Sequence, residues 1–73
     1  MKKVTPKQLK NLIAIGGAKS ADNLTEEQKD ALRPVERLAY SRGVYGANGL
    51  LFRGADGALY AVTGRNSALF YFL

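Results

Sequence analysis

The chain contains no cysteine and no histidine. Without cysteine there is neither a disulfide nor a thiolate ligand. Without histidine the chain lacks the side chain that most often acts as a general base or binds transition metals. The six acidic residues fall mainly on the predicted second helix, and no pair of them is arranged for acid–base catalysis. We therefore expect a non-enzymatic protein with no catalytic residues, no cofactor and no metal site.

Long hydrophobic runs are also missing. No stretch approaches the ~20 apolar residues that a membrane-spanning helix needs. The basic start is followed by a short apolar run, LIAI at 12–15, which is too short for the hydrophobic region of a signal peptide. Together with the lack of cysteine, this favours a cytoplasmic protein that has no membrane partner.

The chain is short and basic. Its 73 residues predict a single small domain, 1–73, and its 47% hydrophobic residues supply enough apolar material for a core. Eleven Lys and Arg against six Asp and Glu give a net charge of +5, which favours an acidic protein, a nucleoprotein or nucleic acid as partner. The alternative is that the charge serves only to keep the protein in solution.

Two helices are predicted in the N-terminal half. The sequence Thr5-Pro6-Lys7-Gln8 is typical of a helix start, and Gly16-Gly17 of a helix end, which predicts a helix over about 6–15. A second capping sequence begins at Thr25, and an apolar stripe continues with helical spacing towards Gly43. Because Pro34 lies inside this stripe, we expect one bent helix.

The C-terminal half has the twofold alternation of β-strands. The runs LLFR, ALYAVT and ALFYFL predict three strands, and Asp56-Gly57 predicts a two-residue hairpin turn between the first two. Asn48-Gly49 is a weaker turn signal, which leaves open an extra short strand at 44–47. The predicted fold is α+β, with two N-terminal helices packed on one face of a C-terminal three-stranded antiparallel sheet, in the order α-α-β-β-β.

The first candidate binding surface is the sheet face that these helices leave open. A two-residue turn sets Arg53 opposite Tyr60 on that face. Tyr71 joins them if Phe70 and Phe72 of the last strand point inward. Arginine and tyrosine are suited to gripping a partner or stacking on bases. The alternative is that the tyrosines are present because they favour half-buried strands.

Two further groups of basic residues are candidates. Arg33, Arg37 and Tyr40 fall opposite the apolar stripe of the predicted second helix and would form a contact site, unless the face is solvated and its arginines pair with nearby acidic residues. The second group lies at the basic start of the chain, where it would attract an acidic partner electrostatically or remain simply hydrated: Lys2, Lys3, Lys7 and Lys10.

Three functions fit these features. The first is a small inhibitor or adaptor that binds a host protein or nucleoprotein complex. The second is a basic nucleic-acid-binding accessory domain. The third is a structural subunit that forms a homodimer through the open sheet face or the C-terminal strand. In its short single domain, charged surface and lack of catalytic residues the chain resembles small proteins encoded by bacteriophages and mobile elements, including anti-CRISPR proteins, and this resemblance favours the inhibitor.

Overall fold

The computed structural model describes residues 2–43 and 46–64. These residues form a five-stranded mixed sheet with two short helices, an α+β arrangement. In chain order the elements are β1 (Lys2–Lys3), α1 (Pro6–Ala14), β2 (Lys19–Ser20), α2 (Glu26–Leu32), β3 (Glu36–Gly43), β4 (Gly46–Arg53) and β5 (Leu59–Thr63).

The sheet combines a central antiparallel meander with two short parallel edge strands. Its strand order is β1-β3-β4-β5-β2. β4 pairs antiparallel with both of its neighbours, β3 and β5. The two-residue strands pair in parallel, β1 with β3 and β2 with β5. Of the described strands, β4 alone therefore runs against the others.

The predicted packing of two helices on one face of a three-stranded antiparallel sheet is wrong. Leu9 of α1 packs with Ala61, whereas Leu32 of α2 packs against the cluster that contains Tyr60. Adjacent residues of a strand point to opposite faces, so Tyr60 and Ala61 set the two helices on opposite sides of the sheet. The N-terminal half thus contributes both edge strands and covers both faces, which local sequence patterns did not indicate.

The second helix is much shorter than predicted. α2 ends at Leu32, where Arg33 donates its backbone N–H to the Lys29 carbonyl at 3.1 Å. Proline lacks an N–H and disfavours helical geometry in the residue before it, so Pro34 ends the helix instead of bending it. The rest of the predicted helix forms β3 and pairs with β4. Val35, the residue after this proline, is 64% exposed and does not belong to a buried stripe.

The turn between β4 and β5 is longer than the predicted two-residue hairpin. The Gly54 N–H donates to the Ala58 carbonyl at 2.9 Å and closes a loop over 54–58. Inside it, the Asp56 carboxylate accepts from the Ala58 N–H at 3.0 Å. Gly57 has a φ of 85°, a left-handed conformation that glycine adopts without a Cβ clash.

This longer loop shifts the strand register by one residue. Arg53 pairs with Leu59, and Phe52 pairs with Tyr60, so the predicted pairing of Arg53 with Tyr60 is wrong. Because side chains alternate between faces, a one-residue shift moves every side chain of the strand to the other face. Tyr60, which is predicted on the open face, is instead buried beside Phe52 in the cluster that also contains Val62.

Two other predicted strands need comment. Asn48 and Gly49 lie inside β4, so the weaker hairpin predicted there is not formed. Of the extra strand predicted at 44–47, residues 46 and 47 belong to β4 and the other two lie outside the described residues. The last predicted strand, 68–73, lies outside them as well.

Leu9 fixes α1 to the sheet. It is fully buried and packs with Ala18 and Ala61. Gly49 of β4 provides the necessary space, because a Cβ at that position would collide with Cδ1 of Leu9. The absence of a side chain at 49 therefore lets the helix approach the sheet closely.

Candidate partner-binding surface

The helix α1 has a buried side and a charged side. Thr5 and Gln8 form a reciprocal capping box, in which each side chain accepts from the other residue's backbone N–H. Leu9 points into the core. Lys7 and Lys10 are exposed, and their i, i+3 spacing sets them side by side on the outer face of the helix.

Two more lysines lead directly into this helix. Lys2 and Lys3 form β1, are exposed, and pair with Ala39 and Tyr40 at the edge of the sheet. The chain passes from there through Thr5, the residue that caps α1. We call the exposed lysines of β1 and α1 the lysine surface: Lys2, Lys7 and Lys10 on the α1 side of the sheet, and Lys3 at the same edge but pointing to the α2 side.

No acidic residue lies on β1 or α1, since no Asp or Glu occurs before Asp22 in the chain. Exposed Glu27 and Asp30 belong to α2, which packs on the opposite face of the sheet from α1. Glu36 lies on the α1 side, where it contacts Arg53. The field of the lysine surface is therefore not cancelled by acidic neighbours on its own elements.

The residues predicted to form a contact site on the second helix do not share one element. Arg33 is exposed at the C-terminal end of α2. Arg37 and Tyr40 are half-buried in β3, where they pair with Phe52 and Leu50 respectively. The predicted helical spacing of these three residues is wrong, because the chain leaves the helix before Pro34.

The residues predicted for the open sheet face are also separated. Arg53 lies on the α1 side, where Nε contacts Glu36 Oε2 at 3.3 Å and a terminal nitrogen donates to the Gly57 carbonyl at 3.2 Å. Tyr60 lies on the α2 side, is only 8% exposed, and stacks on Phe52 with ring centroids 5.7 Å apart. Tyr71 lies outside the described residues.

Tyr60 belongs to a small polar group at the end of the sheet. Its hydroxyl donates to Asp56 at 2.5 Å, and this hydrogen bond, with a second one from the Ala58 N–H, lowers the pKa of Asp56 below its ordinary 3.8. The same hydrogen bond, reinforced by burial, raises the pKa of Tyr60 above 10.0. Lys19 of β2 lies 6.0 Å from the ring centroid of Tyr60. The hydrogen bond between Tyr60 and Asp56 holds the loop over 54–58 against the sheet.

A second carboxylate joins the segment after β2 to the end of β5. Asp22 accepts from the Thr63 backbone N–H at 2.6 Å and from the Thr63 hydroxyl at 3.2 Å. The Ser20 hydroxyl also donates to Asp22, at 3.2 Å. Sequence reasoning missed this group because it joins residues that are 41 positions apart.

The described residues offer little for metal binding. Within 2–43 and 46–64, no group of three or more acidic side chains is arranged to hold a metal ion. In the same part of the chain, no helix has the length and apolar character needed to cross a membrane.

No family model, no curated protein and no solved structure matches this chain. Its surface chemistry is therefore the basis for a functional proposal.

Proposed function

We propose that this chain is a non-enzymatic binding protein that attaches to an acidic protein or nucleoprotein through the lysine surface. One observation carries the proposal: exposed Lys2, Lys3, Lys7 and Lys10 lie on two adjoining elements without an acidic residue among them. Opposite charge on a partner accelerates association and orients the encounter, so a basic surface with no acidic residue on its own elements suits an acidic target.

An inhibitor of a host complex is the form of binding protein that we favour. Such a protein needs a surface and no reaction centre, and the chain supplies neither histidine nor cysteine for catalysis. The resemblance to small phage proteins of the anti-CRISPR kind supports the same choice. We also propose a cytoplasmic location, which the absence of cysteine favours.

The arginine and tyrosine candidates differ in how accessible they are to a partner. Exposed Arg33 remains available to a partner that reaches the C-terminal end of α2. Tyr60, at 8% exposure, leaves little of its ring to a partner, and its hydroxyl already donates to Asp56. A dimer through an open sheet face is not favoured, because Phe52 and Ala61, on opposite faces, are both fully buried.

Salt elution from immobilised heparin, a polyanion, tests the proposal. Lys7→Gln and Lys10→Gln are compared with Lys19→Gln, since each lowers the net charge from +5 to +4. Lys19 is a matched control because it is exposed on β2, at the other edge of the sheet. We expect retention of the unsubstituted protein, and earlier elution of the first two variants than of the control.

Circular dichroism verifies that all three variants keep the fold. Equal elution of the three variants would mean that only net charge matters, and the lysine surface would then have no special role. Failure of the unsubstituted protein to bind at low salt would refute the proposed function itself.

A further inference from the structure

We infer that the lysine surface contacts the phosphodiester backbone of a nucleic acid. This inference rests on the proposed function and names the chemical group on the partner that the lysines meet. It therefore predicts that the acidic target is a nucleic acid or the nucleic-acid part of a nucleoprotein, and that an acidic polypeptide is not the group recognised.

The first support is the set of residue types on this part of the molecule. Residues 2–18, which contain β1 and α1, include four lysines but no arginine and no aromatic residue. Protein interfaces are enriched in tyrosine, tryptophan and arginine and depleted in lysine. Surfaces that stack on bases require aromatic rings. Lysine, by contrast, binds phosphate as a point charge and needs neither of these companions.

The second support is the absence of an apolar centre on the exposed side of α1. Leu9 is fully buried, and Leu12 and Ile13 are half-buried against the sheet. The outward positions alongside Lys7 and Lys10 hold short or polar side chains. Ile15 is 78% exposed, but it lies at the C-terminal cap of the helix, away from the lysines of the first turns. A protein partner would find no buried anchor site here.

The third support is the position of Lys7 in the helix. It is the second residue of α1, and the first turn contains no acidic residue. The N-terminus of a helix carries partial positive charge, so a lysine there is locally unfavourable. A residue that is unfavourable for the local secondary structure is expected at a position where function requires it. The capping box already occupies the end of the helix, so the side chains and not the helix amides meet the anion.

The number of lysines sets the expected salt dependence. The three lysines on the α1 side, each neutralising one phosphate, give a slope of log affinity against log salt of about −2.7 on duplex DNA and about −2.1 on a single strand. Between 50 and 200 mM salt, the affinity should then fall about 40-fold for the duplex and about 20-fold for the single strand. Because backbone contacts carry no sequence information, the affinity should not depend on base sequence.

The test measures fluorescence anisotropy with three labelled probes over a range of salt concentrations. The probes are a short DNA duplex of random sequence, a single-stranded RNA of the same length, and polyglutamate. Lys7→Gln and Lys10→Gln should each reduce the magnitude of the salt slope on the better nucleic acid by about 1, whereas Lys19→Gln should leave the slope unchanged. The comparison of duplex with single strand identifies which form supplies the phosphates.

The outcomes separate this inference from the proposed function. Binding to nucleic acid with a slope near the predicted value, weakened at Lys7 and Lys10 only, supports the inference. Equal or tighter binding to polyglutamate overturns it but leaves an acidic partner in place. A slope that all three variants reduce equally also overturns it. If none of the probes binds, both the inference and the proposed function fail.

Discussion

Replacement of Gly49 by alanine tests how α1 is held against the sheet. The new Cβ would collide with Cδ1 of Leu9 and would lie 2.9 Å from the Ser41 Oγ and 3.3 Å from the Val62 carbonyl. The Ser41 hydroxyl has no hydrogen-bond partner among the described residues, so it can rotate away at little cost. Leu9 is fully buried and cannot move without disturbing the packing of the helix.

The two effects of the substitution have opposite signs. Overpacking a core costs about 1–3 kcal/mol. Alanine gives the unfolded chain less conformational freedom than glycine does. This stabilises the folded state by about 0.4–1 kcal/mol where the backbone conformation is compatible. Since φ at Gly49 is not positive, that gain applies. We therefore expect Gly49→Ala to lower the free energy of unfolding by about 1–2 kcal/mol, out of about 4–11 kcal/mol for a chain of this length.

A double-mutant cycle with Leu9 identifies the cause. Leu9→Ala alone should cost about 2–5 kcal/mol, because it leaves a cavity beneath α1. In that background the alanine at 49 has room, so the same Gly49→Ala change should be neutral or stabilising. Urea denaturation measures all four free energies. Additive effects would refute the claim that Gly49 is required because Leu9 lies against it.

Two further predictions concern the carboxylates. Asp22→Ala should lower the free energy of unfolding by about 1.5–3 kcal/mol, because it removes a charged acceptor from the Thr63 amide. Hydrogen exchange should then show faster exchange at Thr63 than in Asp22→Asn, and unchanged protection would contradict this role. Asp56 has a lowered pKa, so it stabilises the folded state above its unfolded-state pKa, and this stability is lost as pH falls through the folded pKa. Asp56→Asn should therefore weaken the loss of stability below about pH 4, and an unchanged acid limb of the pH profile would contradict the hydrogen bond with Tyr60.

The first helix could be predicted because its signals are local. Thr5, Pro6 and Gln8 cap the start, and Gly16, with a φ of 78°, follows the last turn. Each of these signals acts within a few residues, so the neighbouring sequence contains the information. The predicted start and capping box are confirmed, and the observed end at Ala14 differs by one residue from the expected one.

The strand β3 could not be predicted from its own residues. Ala39 and Ser41 are both buried on the α1 side of the sheet, but Ala39 also fitted the helical stripe that runs through Leu32. A short segment with few apolar residues fits both the helical and the strand spacing of apolar positions. Pairing with β4 then decides that the segment forms a strand. A proline ends a helix when the following residues have a better partner, and after Pro34 the residues of β3 pair with β4.

Only part of the candidate surface could be predicted from the sequence, because the rest depends on how the strands pair. The four lysines could be identified because charged residues near a capping sequence remain exposed in almost any arrangement. Arg53 and Tyr60 could not be assigned to one face, since their relation depends on a one-residue register set by the loop over 54–58.

The lysines at the edge of the sheet and those on the helix have different physical explanations. Lys2 and Lys3 form an edge strand, where short length and lysine side chains discourage pairing with another copy of the chain. That role explains them without any partner. Lys7 and Lys10 protect no strand edge, and Lys7 opposes the dipole of its own helix. The lysines of α1 are therefore the more discriminating evidence for a binding function, because neither the stability of the fold nor the protection of its edges requires them.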